Sequence, residues 1–357
     1  MCFEKDKCIT REKTMKLQKY SSLRDSERLA LERLLPLDFP LSIYIETTNR
    51  CNFRCRYCPI SLPAYSKIVG GFRTMKNNEF RKICKDIQTG GRIKALRFYF
   101  VGEPLLDPHL SERIAIACQM RLAERTELTT NGVLLDGEKS QAIINSGLDY
   151  LRISISSMDS CRHKDITQTD IRVDHIYDNI KRFKQIRDGM GHQKPFLYVK
   201  MIGSYNDAED SRFLQMYQDV GDECIIEKPM NWDGYNNHNL LKATYGEKQI
   251  ADPTELYPHL KSVCPFPFYT LMITVNGDVT VCCVDWNKGT KVGNAFESTL
   301  QSIWDGDEMR NFRRMQIFRK RKLNPSCRNC QILFSPLDNL DNMSESKIRA
   351  IVGPAKS

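Results

Sequence analysis

No stretch of this 357-residue chain approaches the roughly 20 consecutive apolar residues of a membrane-spanning helix. The amino terminus, Met1 to Cys8, is charged where a secretory signal is apolar. Repeats and low-complexity segments are lacking too. These absences point to a cytoplasmic protein with no membrane partner, in which fourteen cysteines serve metals rather than disulfides. Hydrophobic residues at 41% suit a packed core, and the length allows a large α/β domain with an appendage. The formal charge of +9 does not by itself mean nucleic acid. Basic residues are spread out. The densest run, Arg310 to Lys322, is interleaved with Met309, Phe312, Met315 and Phe318 at helical spacing, so it reads as an amphipathic helix with a solvated basic face.

Three cysteines stand out in Cys51-Asn52-Phe53-Arg54-Cys55-Arg56-Tyr57-Cys58. Three thiolates this close can wrap one face of a four-iron, four-sulfur cube and leave one iron without a protein ligand. Zinc is the competing reading, but zinc wants four ligands and usually paired CxxC steps. With CxxxCxxC spacing and Tyr57 before the last cysteine, the string resembles the signature of the radical S-adenosylmethionine (SAM) superfamily. There the open iron is chelated by the amino and carboxylate groups of SAM.

The β-branched run Leu41–Thr47 leads into this loop as a strand. Further strands are expected at Ala95–Val101, Thr126–Thr130, Tyr150–Ser156, Phe196–Ile202 and Cys224–Glu227. Helices are expected at Arg24–Leu35, Asn77–Gln88, Leu110–Leu122, Gly137–Ser146, His175–Arg187 and Asp207–Val220. The alternation implies a parallel α/β sheet with right-handed crossovers. It resembles the partial (β/α)6 barrel of radical SAM enzymes.

A second part begins after about Lys228. Leu271–Val275 and Val279–Cys283 flank Asn276-Gly277-Asp278, a strong hairpin signal because Asn-Gly accepts positive φ. Leu300–Phe318 reads as one helix, and the tail after Gln331 shows no clear pattern. The expected domains are an extension over 1–36, the barrel over 37–230, a small carboxyl-terminal domain of hairpin plus helix over 231–335, and a tail over 336–357.

Cys264, Cys282, Cys327 and Cys330 form a second constellation. Four thiolates saturate a metal site, and a zinc knuckle is a fair competitor. Downstream of the first motif, the spacing resembles the truncated SPASM module, called a twitch domain, which binds one auxiliary [4Fe–4S] cluster. No cysteine follows Cys330, which argues against a second auxiliary cluster. Cys282 and Cys283, adjacent on the second hairpin strand, should point to opposite faces. The resemblance favours Cys282 as ligand. Cys283 is left as a buried hydrophobe or, as a catalytic candidate, a hydrogen-atom donor.

Val101-Gly102-Glu103-Pro104 is similar to the superfamily's GGEP motif, which implies that Gly102 and Glu103 receive the SAM amino group. The resemblance also places Tyr57, Thr130 and Asn131 (beside Thr129), Ser154 and Ser156 near SAM. As isolated polar residues they could equally cap strands. Trp232, Asp233 and Tyr235, with Asp285 and Trp286, suit a polyol, stacking on its apolar face and accepting its hydroxyls. Loop packing is the alternative. His109, His163 and His238 read as structural.

The resemblance implies two [4Fe–4S] clusters and SAM, whose cleavage gives a 5′-deoxyadenosyl radical that takes a hydrogen atom from substrate. It also implies an electron donor such as flavodoxin or ferredoxin. The twitch architecture resembles aminocyclitol- and aminoglycoside-type dehydrogenases and epimerases. With only about 35 residues before the barrel, a carbohydrate-like substrate is expected over a peptide. Dehydrogenation is the leading expectation. Epimerisation through Cys283, peptide maturation, and a zinc- or cluster-stabilised scaffold without activity are the alternatives.

Overall fold

The computed structural model describes residues 18–19, 31–203, 206–227, 244, 261–334, 336 and 338–353. The loop carrying Trp232, Asp233, Tyr235 and His238 lies outside them, as does most of the expected leading helix, of which Leu31–Leu34 (α1) is described. Six strands follow the expected alternation: β2 (Ser42–Ile45), β3 (Ile93–Phe98), β4 (Ala123–Thr130), β5 (Tyr150–Ile155), β6 (Phe196–Ile202) and β7 (Glu223–Glu227). Each pairs in parallel with the next. The short β1 (Gln18–Lys19) joins β7 at one edge.

The hairpin differs from expectation in where it sits. Its strands β8 (Thr270–Ile273) and β9 (Asp278–Thr280), with β10 (Lys291–Asn294), belong to the barrel's own sheet, in the order β1-β7-β6-β5-β4-β3-β2-β8-β9-β10. β8 runs parallel to β2, with Ser42 opposite Thr270 and Ile45 opposite Ile273. All four β2 residues are buried, and such a strand could not be left as an open edge. β8 covers it.

Alternation along the strands separates two chemistries. Ile43, Ile45, Leu96, Phe98, Leu128, Leu151, Ile153, Leu197, Val199 and Ile226 join the apolar core beneath the helices. The other face of the open barrel is polar: Tyr44, Glu46, Arg97, Tyr99, Glu127, Arg152, Lys200 and Glu227 alternate with those core residues. On that face Arg97 pairs with Glu127 at 3.2 Å, Arg152 with Glu227 at 3.2 Å, and Lys200 with Glu227 at 2.6 Å.

The outer helices include α2 (Tyr65–Val69), α3 (Asn77–Gly90), α4 (Leu110–Gln119), α5 (Gly137–Asn145), α6 (Ser160–Thr167), α7 (Val173–Gly189) and α8 (Asp207–Tyr217). α6 escapes sequence reading because Arg162, His163, Lys164 and Asp165 blur its apolar periodicity, although Asp159 caps it by accepting from the Arg162 amide. The expected helix over 300–318 is two, α9 (Leu300–Trp304) and α10 (Asp307–Ile317). The chain breaks between them because the buried Arg313 guanidinium takes the freed Trp304 carbonyl at 3.2 Å and stacks 4.0 Å over the Trp304 ring. After α11 (Pro325–Arg328), the tail forms α12 (Glu345–Val352), whose Ile351 and Val352 pack with Leu31, Leu35 and Phe268.

Candidate active site and cluster sites

The cysteine loop leaves the carboxyl end of β2, where parallel α/β folds present their chemistry. Backbone hydrogen bonds anchor it. The Arg54 and Arg56 amides donate to the Thr167 and Ile166 carbonyls at the end of α6, at 3.0 and 2.8 Å. Cys51, Cys55 and Cys58 are each half-buried, and Cys55 feels the other two. Burial and the nearby Glu103 charge push the Cys51 thiol up to about 11. Burial pushes Cys58 up to about 12. Cys55 is raised by burial and by both neighbours, while the Tyr57 hydroxyl opposes the rise. Thiols held this way are protonated at neutral pH, so loading a metal centre releases protons.

Gly102 fits the loop closely. A Cβ there would lie 2.1 Å from the Thr48 carbonyl oxygen, so only glycine allows this backbone approach. The Glu103 amide donates to the Arg50 carbonyl at 2.7 Å. The Glu103 carboxylate is buried and accepts from the Thr130 hydroxyl (2.6 Å), the Asn131 amide (2.8 Å) and the Leu105 amide (3.0 Å). Burial still raises its pKa despite these bonds. Glu103 thus staples the end of β4 to the end of β3, and three of about four acceptor positions are used internally. The Asn131 side-chain amide donates to Asn52 at 2.7 Å, closing the triangle. Ser154 lies on the inner face of β5, and Ser156 just beyond its end. Gly102→Ala is expected to cost about 3 kcal/mol of stability, as overpacking does. A melting curve of the variant tests this, and an unchanged midpoint would refute the close approach.

The second constellation shares one cavity, lined by Cys264, Cys282, Cys327 and Cys330. Cys283 is not in the lining. Burial raises Cys264, and it pushes Cys327 to about 12 and Cys330 to about 11.

The strand that was to set Cys282 and Cys283 on opposite faces ends before it reaches them. β9 stops at Thr280, and both cysteines lie in the following turn, where strand alternation has no force. The two thiols influence each other, and that interaction raises Cys282 and lowers Cys283. Cys283 also meets the Tyr44 hydroxyl and the field of Arg97, both inner-face groups. Asp285 is spent locally on the Thr290 amide and hydroxyl, each at 2.7 Å. Trp286 is buried against Tyr65.

Sequence reading missed Glu46. It lies on the inner face just beyond β2 and is 4% exposed. Its Oε2 accepts from the Val275 amide at 3.1 Å, while Oε1 has no well-formed partner. Burial raises its pKa to about 7, the Val275 and Val101 amides and Lys288 holding it back. It lines a small cavity with Tyr65, Thr274, Trp286 and Lys288, and Trp286 also lines the four-cysteine cavity. The only signal in the sequence was a carboxylate closing an otherwise apolar strand.

Residues 45–192 match the radical SAM superfamily, and residues 264–331 match the SPASM iron–sulfur cluster-binding domain. The chain carries a radical SAM domain followed by a SPASM iron–sulfur cluster-binding domain. The first domain implies SAM and a [4Fe–4S] cluster, and the second implies further iron–sulfur binding. Among curated relatives, a GTP 3′,8-cyclase from Mycobacterium marinum is 32% identical over 165 residues, covering 43% of this chain and 44% of that protein. The chain therefore spans less than half the length of that relative. Among solved structures, SuiB of Streptococcus suis bound to precursor peptide SuiA superposes with a TM-score of 0.56 at 16% identity, covering 79% of this chain and 69% of that one. BtrN in complex with AdoMet and 2-DOIA gives 0.51 at 16% identity, covering 86% and 97%. At such identity these two speak for the fold alone. Among the described residues, no helix is long and apolar enough to cross a membrane.

Proposed function

We propose that this enzyme oxidises a carbinol carbon of a polyol, a carbohydrate or aminocyclitol, to a ketone. Glu46 carries the reading. When bound, SAM and the clusters supply the one-electron chemistry, a 5′-deoxyadenosyl radical for the carbon-bound hydrogen atom and a second centre for the remaining electron. The hydroxyl proton then needs a base near neutral pH. Glu46 offers a carboxylate oxygen with no well-formed partner and a pKa of about 7, in a cavity that shares Trp286 with the four-cysteine cavity. The inner face, dense in donors and acceptors, suits a hydroxyl-rich substrate and disfavours an apolar one.

In this reading Cys51, Cys55 and Cys58 hold the SAM cluster, while Gly102, Glu103, Tyr57, Thr130, Asn131, Ser154 and Ser156 surround SAM. Cys264, Cys282, Cys327 and Cys330 hold one auxiliary cluster. Cys283→Ala is expected to keep its full iron, whereas Cys282→Ala loses cluster or fold. The reverse pattern in an iron assay would mean that the pair is swapped.

One observation favours a second reading, epimerisation. The Cys283 thiol is lowered by the Tyr44 hydroxyl and by Arg97, both inner-face groups, which supports a hydrogen-atom donor on that side of the sheet. Turnover in deuterated water separates the two readings. A dehydrogenase gives a carbonyl product. An isomer of the substrate carrying deuterium, lost in Cys283→Ala, would overturn the oxidation.

A further inference from the structure

We propose that the surface between the end of α10 and the Cys327–Cys330 turn docks a small acidic one-electron carrier protein. This deepens, and rests on, the oxidation proposed above. α10 stops at Ile317, so Phe318 does not join the helix's buried face as its spacing predicts. Phe318 and Leu323 are 55% and 72% exposed, the two most exposed large hydrophobic residues among those described. Arg319, Lys320, Lys322 and Arg328 surround them and are all exposed. Among the described residues none of these four cations has a carboxylate partner. Arg328 and Arg319 reach only backbone carbonyls, of Lys322 (3.1 Å) and Asp341 (3.4 Å).

An apolar centre ringed by uncompensated positive charge suits a transient partner of opposite sign, drawn in electrostatically and released readily. What lies beneath the patch says what kind of partner. Arg321 donates to the Cys330 carbonyl at 2.8 Å and lines the four-cysteine cavity with Cys327 and Cys330. A carrier seated here is one turn of chain from a centre held in that cavity. The electrons balance. Oxidising a carbinol to a ketone yields two electrons and two protons. One electron leaves with the hydrogen atom, the hydroxyl proton goes to Glu46, and the second electron passes to the oxidised carrier. The reduced carrier can return an electron for the next SAM cleavage.

The test uses the full chain loaded with iron and sulfide, reduced chemically and mixed with oxidised flavodoxin as the probe, without substrate. Stopped-flow absorbance reads the electron transfer. At low salt, Lys320→Glu/Lys322→Glu is expected to slow the second-order rate at least tenfold, with iron content unchanged, because steering of this kind changes on-rates by about 10 to 10³. Lys85→Glu/Lys181→Glu makes the same change in net charge on the exposed outer helices and is expected to alter the rate less than twofold. Phe318→Ser should weaken flavodoxin binding at high salt, where charge is screened. Equal slowing by both double variants, or a rate independent of salt, would overturn the proposal. So would binding of phosphatidylserine vesicles through these residues with no effect on electron transfer. Because no substrate is present, the proposed oxidation can fail while docking holds, and the reverse.

Discussion

Replacing Cys51, Cys55 and Cys58 together by alanine is expected to remove about half of the protein's iron and to abolish 5′-deoxyadenosine formation. Half follows from the proposed assignment of two four-iron centres, each held by its own cysteines. The protein should survive the change, because the loop is fastened by groups other than the thiols. The Arg54 and Arg56 amides bind the end of α6, Arg56 pairs with Asp165 at 2.7 Å, and Asn52 binds Asn131. A cooperative melt with reduced iron would therefore report loss of a cluster and not of the fold. Cys161→Ala, at an exposed position on α6, serves as the control and should retain all iron. Unchanged SAM cleavage in the triple variant would sink the assignment.

The features legible in the sequence are those fixed by neighbouring residues. The barrel strands follow period 2, and Gly277, at φ +82, sits in the turn that Asn276-Gly277 announces. Gly102 was legible as part of a motif, and its physical reason, the Thr48 carbonyl 2.1 Å from a would-be Cβ, emerged only with the fold. What escaped depends on distant partners. Nothing near Thr270 says that β8 will lie along β2. Nothing near Gly306 says that Arg313 will claim the Trp304 carbonyl. The second hairpin strand was read through Cys283 but ends at Thr280, and Glu46 passed for an ordinary strand residue. In both cases the chemistry lies in what packs against the side chain.

Glu46→Gln is expected to lower carbonyl formation at least 100-fold, the usual scale of a general base, while SAM cleavage continues uncoupled. Glutamine keeps the size and can still accept the Val275 amide, so packing is preserved. In the native enzyme the carboxylate form is the active one. Carbonyl formation should therefore rise with pH through about 7 and then level off, and the variant should lack that inflection. Stability runs the other way. A carboxyl whose pKa is raised by folding stabilises the fold most below its unfolded value, and that contribution is lost as pH rises through the folded value. A rise from 4.5 to about 7 corresponds to about 3 kcal/mol. The melting temperature of Glu46→Gln should exceed that of the native protein more at pH 8 than at pH 5.5. A buried carboxylate that costs the fold stability near neutral pH is what a working base looks like. Undiminished carbonyl formation in the variant would remove Glu46 from the chemistry, and a pH-independent stability difference would remove its raised pKa.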